Sequence, residues 1–129
     1  MSLSGKRVAV LAEADYEDLE LHYPLIRLTE EGADVKVIAP SKEVVRGKHG
    51  LSVMPDMTFD EARAEAFDGV VVPGGWAPDR LRRYPEALGF VRRMHDQGRV
   101  VTAICHGPQV LISAGVLRGR TVTCVSAVK

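Results

Sequence analysis

Cys105 is the residue whose neighbours best equip it for chemistry. It closes the run Val100-Val101-Thr102-Ala103-Ile104 and is followed by His106-Gly107-Pro108-Gln109. An apolar, β-branched stretch that stops at a cysteine, with small Ala103 two before it and Gly107 two after it, is the pattern of a nucleophile elbow. A nucleophile pushed up at a sharp strand-to-helix turn crowds both of those positions, so both must be small. The thiol then lies at the start of the next helix, where free N–H groups and the helix dipole favour the thiolate. Cysteine is nucleophilic only in that form. Core filling is the plain alternative for a lone cysteine after a strand. The adjoining His106, the small flanks and the Gly-Pro helix start favour the elbow.

A thiolate needs a proton acceptor or a positive environment beside it. His106 is adjacent, although a residue next to an elbow nucleophile need not point at the sulfur. His22, His49 and His95 are alternatives by residue type, His95 suiting the C-terminal dipole of its helix. Glu17 is the nearest carboxylate by topology. It either favours a helix N-terminus or faces Cys105, where it would be protonated and donate to the sulfur, because two close anions are costly. Pro73-Gly74-Gly75 marks a turn. Beside an elbow, a backbone N–H from this loop and the one after Cys105, that of His106, could form an oxyanion hole. Asp79 either N-caps a short helix at 79–83 or orients a catalytic histidine. Cys124 reads as strand filling. Dinucleotide and phosphate-loop signatures are missing from the sequence, and the cysteines and histidines lack zinc-site spacing, so neither cofactor nor metal is expected.

The elements that must position these residues follow from periodicity. Arg7–Ala12 predicts a buried first strand. A helix from Glu17-Asp18 to about Glu31 carries Leu21, Leu25 and Leu28 on one face, should kink at Pro24 and stops at Gly32. Val35–Ala39 is the second strand. Residues 41–57 read as a loop or small hairpin around Gly47-Lys48-His49-Gly50. Thr58 and Glu61 fit a capping box, with a helix to about Ala66. Gly69–Val72 is a further buried strand, and Val100–Ile104 is the strand before the elbow. Between them Pro85 opens a helix whose apolar face is Leu88, Val91 and Met94. A helix from His106 or Gly107 to Ala114 and a strand at Thr121–Val125 complete the chain. Strands alternating with helices predict a doubly wound α/β domain with a parallel sheet, whose crevice lies at the strands' carboxyl ends. Glu13 to Glu17, Gly74-Gly75 and Cys105 should collect there.

The 129 residues suffice for one domain, and 46% of them are apolar, which predicts a globular chain. Seventeen basic and seventeen acidic residues cancel, so nothing favours nucleic acid or an anionic membrane as partner. Arg80, Arg82 and Arg83 read as a solvated helix face. No segment has the length of a transmembrane span or the core of a signal peptide. Two cysteines make no disulfide framework, and a cytoplasmic home is the simplest expectation.

With these residues in hand, the chain resembles the PfpI/ThiJ family of class I glutamine amidotransferase-like proteins. The motifs are Tyr16-Glu17-Asp18-Leu19-Glu20-Leu21, Gly47-Lys48-His49-Gly50, Val72-Pro73-Gly74-Gly75, Ala103-Ile-Cys-His-Gly-Pro-Gln109 and Ile112-Ser-Ala-Gly-Val-Leu-Arg-Gly-Arg120. The last two are close to the intracellular-protease and general-stress-protein branch. The resemblance implies a flavodoxin-like sandwich that assembles as homodimers or higher oligomers. It implies Cys105 as nucleophile, Glu17 as the acid beside its sulfur, His106 as the triad histidine and Gly75 as an oxyanion-hole amide. The third triad member is a Glu reaching across a subunit interface, where this chain has Asp79, one methylene shorter; Val125 stands where the family has a tyrosine. Family members continue through further strands and a final helix beyond the position of Lys129. The expectation is therefore a fragment, or a chain that exposes apolar surface and associates. Three functions follow from the resemblance. The first is glyoxalase or deglycase-type chemistry on methylglyoxal and its early adducts. The second is a cysteine peptidase using Cys105, His106 and Asp79, and the third is a redox-sensing or chaperone-like stress protein.

Overall fold

The first apolar run becomes strand β1 (Arg7–Leu11) because both of its faces find cover. In the computed structural model, which describes residues 1–129, β1 is flanked by β2 (Asp34–Ala39) on one side and β6 (Gly69–Val72) on the other. All pairings are parallel, with Val10 opposite Val37 and Val71. β7 (Val100–Ala103) extends the sheet beyond β6, and the two-residue β5 (Met57–Thr58) extends it beyond β2. The order β5-β2-β1-β6-β7 is a parallel, doubly wound sheet of flavodoxin-like order. A separate antiparallel hairpin, β3 (Val45–Arg46) with β4 (Ser52–Val53), frames the expected Gly-Lys-His-Gly turn.

Side chains alternate between two cores, as a strand buried on both faces requires. Ala9, Leu11, Ile38, Val70 and Val72 pack under α2 (Phe59–Ala62), α4 (Pro85–Asp96) and α5 (Pro108–Ser113). Val10, Val37 and Ala39 pack under α1 (Asp18–Glu30) through Leu21. The remaining helix, α3 (Ala77–Leu81), follows the loop after β6. Phe90 of α4 is fully buried, its ring edge-on to Phe59 at 6.0 Å and Phe67 at 5.7 Å. No helix is long and apolar enough to cross a membrane.

Local chemistry sets most boundaries. Thr58 accepts from Glu61 N–H and Glu61 accepts from Thr58 N–H, both at 3.1 Å, completing the capping box. Helix α2 nevertheless ends at Ala62, four residues earlier than expected. Helix α1 runs through Pro24 to Glu30 and stops before Gly32, whose φ of +97° suits only glycine without strain. Helix α3 begins two residues before the expected 79–83, with Trp76 at its N-cap, so Asp79 lies inside the first turn and is not the cap.

The strand expected at Thr121–Val125 does not form. These residues pair with no strand, and their backbone hydrogen bonds are Val125 N–H to the Cys105 carbonyl at 3.4 Å and Val128 N–H to the Val125 carbonyl at 2.9 Å. β-branched residues adopt a strand only where a neighbouring edge completes the ladder, and here the segment meets a turn instead. Only a short 3₁₀ turn, Ser126–Val128, follows.

Candidate active site

Strand β7 ends at Ala103, and the chain reverses at Cys105, whose φ is +57°. Only one other non-glycine residue, Asp15, has a positive φ. Such a conformation costs an L-residue roughly 1–2 kcal/mol, which the surrounding turn must offset. Gly107 shows why the turn needs a small residue. A Cβ there would run into the Val72 carbonyl oxygen and lie 2.9 Å from Ile104 N. The Gly107 N–H closes the turn on the Ile104 carbonyl at 2.7 Å, and Pro108 then opens α5. The Cys105 sulfur lies 3.4 Å from His106 Nδ1, so the adjacent histidine does face it. Trp76, which is 59% exposed, leans its ring over His106 with centroids 6.1 Å apart.

The loop after β6 forms the opposite wall. Gly75 has a φ of +81°, and a Cβ there would meet the Glu17 amide and lie 2.6 Å from the Asp15 carbonyl. This close approach lets Glu17 N–H donate to Gly74 O at 3.1 Å and Trp76 N–H donate to Asp15 O at 2.9 Å. The loops after β1 and β6 are thereby clipped together. The N–H groups of Gly75 and His106 have no intramolecular acceptor.

Two glutamates from the start of α1 reach different places. Glu20 Oε1 accepts from Gly74 N–H at 2.8 Å. A Cβ built on Gly74 would lie 2.5 Å from that oxygen, 2.9 Å from the Ile104 carbonyl and 3.0 Å from Cys105 Cβ. Gly74 thus lies between the Glu20 carboxylate and the elbow cysteine, with no room for a side chain of its own. Glu17 is held elsewhere, its Oε2 being 3.2 Å from Lys48 Nζ and 3.4 Å from His49 Nε2. It makes no hydrogen bond to the sulfur. Glu17 is the N-cap of α1 and faces the hairpin, whereas Glu20 lies one turn into the helix, toward the elbow. The missed signal was their spacing of three, which puts an N-cap and a first-turn carboxylate at the same end of the helix.

The hairpin is fastened from below by Asp18, which is 3% exposed. Its carboxylate accepts from His49 N–H at 2.9 Å and Leu51 N–H at 2.8 Å. Burial alone would push this carboxyl up. The two backbone donors and the nearby His49 outweigh it and hold the group below its ordinary range. Gly47 must be glycine because its Cβ would lie 2.7 Å from Asp18 Cγ and 2.9 Å from Tyr16 Cε2. Lys48 is therefore delivered to Glu17, and its ammonium also lies 5.8 Å from the Trp76 ring centroid.

The remaining candidates separate from the sulfur. Asp79 lines the same open cleft of about 750 Å³ as His106, Trp76, Arg80 and Gln109. Its carboxylate, however, is bonded to Arg83 at 2.6 Å and not to a histidine. His22 Nε2 pairs with the buried Tyr16 hydroxyl at 2.9 Å. Burial, with the Asp18 charge, pushes that hydroxyl up to about 12. His95 lies in the last turn of α4. No three His, Cys, Asp or Glu side chains gather as a metal-ligand set.

Comparison with known proteins agrees with this architecture. The family described as DJ-1/PfpI matches residues 6–129. Deglycase PH1704 of Pyrococcus horikoshii is 47% identical over 123 residues, covering 95% of this chain and 74% of that protein. Deglycase PfpI of Pyrococcus furiosus is 49% identical over 114 residues, covering 88% and 69%. A two-domain protein of Anabaena variabilis, with DJ-1/ThiJ/PfpI-like and ferritin-like domains, superposes with a TM-score of 0.93 at 44% identity. That match covers 96% of this chain but 36% of the longer one.

Proposed function

The chain belongs to the DJ-1/PfpI family, and on that premise we propose that it is a cysteine-dependent enzyme acting on reactive carbonyls by deglycase or glyoxalase-type chemistry. The observation that carries this reading is the Glu20 carboxylate held on Gly74 N–H, on the other side of Gly74 from the Cys105 elbow. A nucleophile with a carboxylate at its side can move protons on a carbon attached to the sulfur. The names of the Pyrococcus relatives agree with it.

The proposed sequence begins with addition of the Cys105 sulfur to an aldehyde carbon, giving a hemithioacetal. Glu20 Oε2, which has no intramolecular hydrogen bond, takes the proton from that carbon and returns it to the neighbouring carbonyl carbon, while the hemithioacetal hydroxyl proton passes to the neighbouring carbonyl oxygen. Water hydrolyses the resulting thioester, releasing the hydroxy acid and the sulfur. The free N–H groups of Gly75 and His106 are suited to the oxyanion formed at each addition. His106 Nδ1, 3.4 Å from the sulfur, exchanges the thiol proton. Glu17, Lys48 and Trp76 line the rim and orient substrate. A homo-oligomer belongs to the same proposal, supported by the exposed apolar side chains of Leu19, Tyr23 and Ile26 along α1.

A peptidase triad is the weaker reading for one protomer, because Asp79 is occupied by Arg83. The test is methylglyoxal turnover by the wild type beside Cys105→Ser at matched concentration, with hydroxy acid quantified. Product formed by the wild type and absent in the variant is expected. Equal product from both would end the proposal.

A further inference from the structure

Residues 15–17 join two loops of the site through backbone alone. On one side Asp15 N–H donates to Arg46 O at 2.9 Å and Lys48 N–H donates to Tyr16 O at 3.0 Å, which sets Tyr16 beside Gly47 of the hairpin in a parallel bridge. On the other side Trp76 N–H donates to Asp15 O at 2.9 Å and Glu17 N–H donates to Gly74 O at 3.1 Å, which sets Tyr16 opposite Gly75 in an antiparallel bridge. Both peptide groups that flank the Gly75 Cα are therefore held. A trans peptide is planar, with its N–H and C=O pointing in opposite directions. Glu17 holds the Gly74 carbonyl, so Gly75 N–H points away from the Glu17 amide and stays free. Asp15 O holds the next peptide group through Trp76 N–H, and this fixes the rotation between the two planes.

Asp15 does so from the left-handed region, at φ +63°. Asp tolerates that region better than most residues, and a β-branched residue hardly enters it. A non-glycine residue stays there only where its surroundings over-determine it. Here the N–H of Asp15 is committed to the hairpin and its C=O to the loop after β6. The carboxylate adds a bond to Arg80 of α3 at 2.6 Å. The Asp15 and Arg80 side chains are 42% and 46% exposed, and exposed pairs contribute little. Backbone conformation, rather than charge, is what Asp15 supplies. We propose that Asp15 is a positioning residue whose left-handed backbone aims Gly75 N–H at the oxyanion. The inference rests on the carbonyl reaction proposed above, in which that N–H meets the oxyanion, and goes beyond it by making the aim depend on residue 15. A misdirected oxyanion donor lowers kcat and leaves KM in place, because it serves the transition state.

The experiment compares methylglyoxal turnover by the wild type with that of Asp15→Asn, Asp15→Gly, Asp15→Ala and Asp15→Val. Asn and Gly accept the left-handed region without the charge, and Val does not. We expect kcat close to the wild type in the Asn and Gly variants. Asp15→Val should lose at least about 10-fold in kcat with KM unchanged, against about 10²–10³-fold for a donor removed outright. Asp15→Ala, a milder departure that spares the fold, should fall between Gly and Val. Gly32→Val puts the same residue at another left-handed position, φ +97°, ahead of the amino end of β2, and should lower stability with kcat intact. Amide exchange at Trp76, followed by NMR, reads the geometry without turnover. Protection in the wild type and in the Asn and Gly variants, lost in Asp15→Val, is expected. Unchanged kcat in Asp15→Val, equal losses in the Asn, Gly and Val variants, or a Trp76 amide still protected in Asp15→Val would overturn the inference. Wild-type turnover no greater than that of Cys105→Ser would defeat the carbonyl reading instead, and the Trp76 amide then decides whether Asp15 sets the Gly75 loop.

Discussion

At the scale of single residues, the site is organised by places where no Cβ fits. Gly107 admits the elbow, Gly75 admits the β1 loop, and Gly74 admits the Glu20 carboxylate. The first requirement is legible in sequence, because a strand, a cysteine and a glycine two residues on form a local pattern. The choice between Glu17 and Glu20 is not. Both lie at the start of one helix, Glu17 as its N-cap and Glu20 in its first turn, and only the packing of distant loops decides which reaches the Gly74 loop and which the hairpin. A paired substitution tests the steric account. Gly107→Ala should destabilise by about 2–3 kcal/mol, since the turn must shift or the strain must be borne. Gly89→Ala, in the interior of α4 with open space around it, should stabilise by up to about 1 kcal/mol. Thermal unfolding of both variants against the wild type checks the two signs.

Among the elements, the capping box at Thr58 and the helix stop at Gly32 were legible because each depends on residues a few positions apart. The expected strand at 121–125 failed because a strand needs an edge that its own sequence does not record. The strand β5 escaped notice because two residues carry no periodicity. The Asp18 fastening was also hidden, since its acceptors meet donors more than thirty residues away. Its consequence is specific. In Asp18→Asn the amide presents N–H to one of two backbone donors, which should cost about 1–3 kcal/mol for a buried donor left unpaired. The hairpin then no longer delivers Lys48 to Glu17. Faster hydrogen exchange confined to residues 45–53, with the sheet strands unchanged, is the expected outcome of that variant.

Across the whole molecule, several carboxyls are held below their ordinary ranges. Burial would raise Asp18, but backbone donors prevail. Asp34 is lowered by Lys36 and Arg7, Glu31 by Ser2 and Arg27, and Glu61 by the Thr58 N–H and Lys42. A depressed folded value means the unfolded chain takes up protons first as pH falls. The associated stability is therefore fully present above the unfolded values, ordinarily 3.8 for Asp and 4.5 for Glu, and is lost as pH falls through the folded ones. Urea midpoints should hold from neutral pH to about 5 and fall below about 4. Salt should weaken the exposed pairs and leave the Asp18 contribution, so Asp18→Asn should narrow its gap to wild type only in acid.

The parallel sheet brings Glu20, Gly74, Gly75 and Cys105 to one edge from three separated stretches of chain, while Asp79 stays with Arg83. On the proposed function, carbonyl chemistry at this edge depends on Glu20 and not on Asp79. The direct test is the rate of hydroxy-acid formation from methylglyoxal by wild type, Glu20→Gln and Asp79→Asn. Loss of at least about 100-fold in Glu20→Gln, the scale of a missing general acid–base group, with Asp79→Asn near wild type, is predicted. A near wild-type rate for Glu20→Gln with collapse in Asp79→Asn would contradict the account.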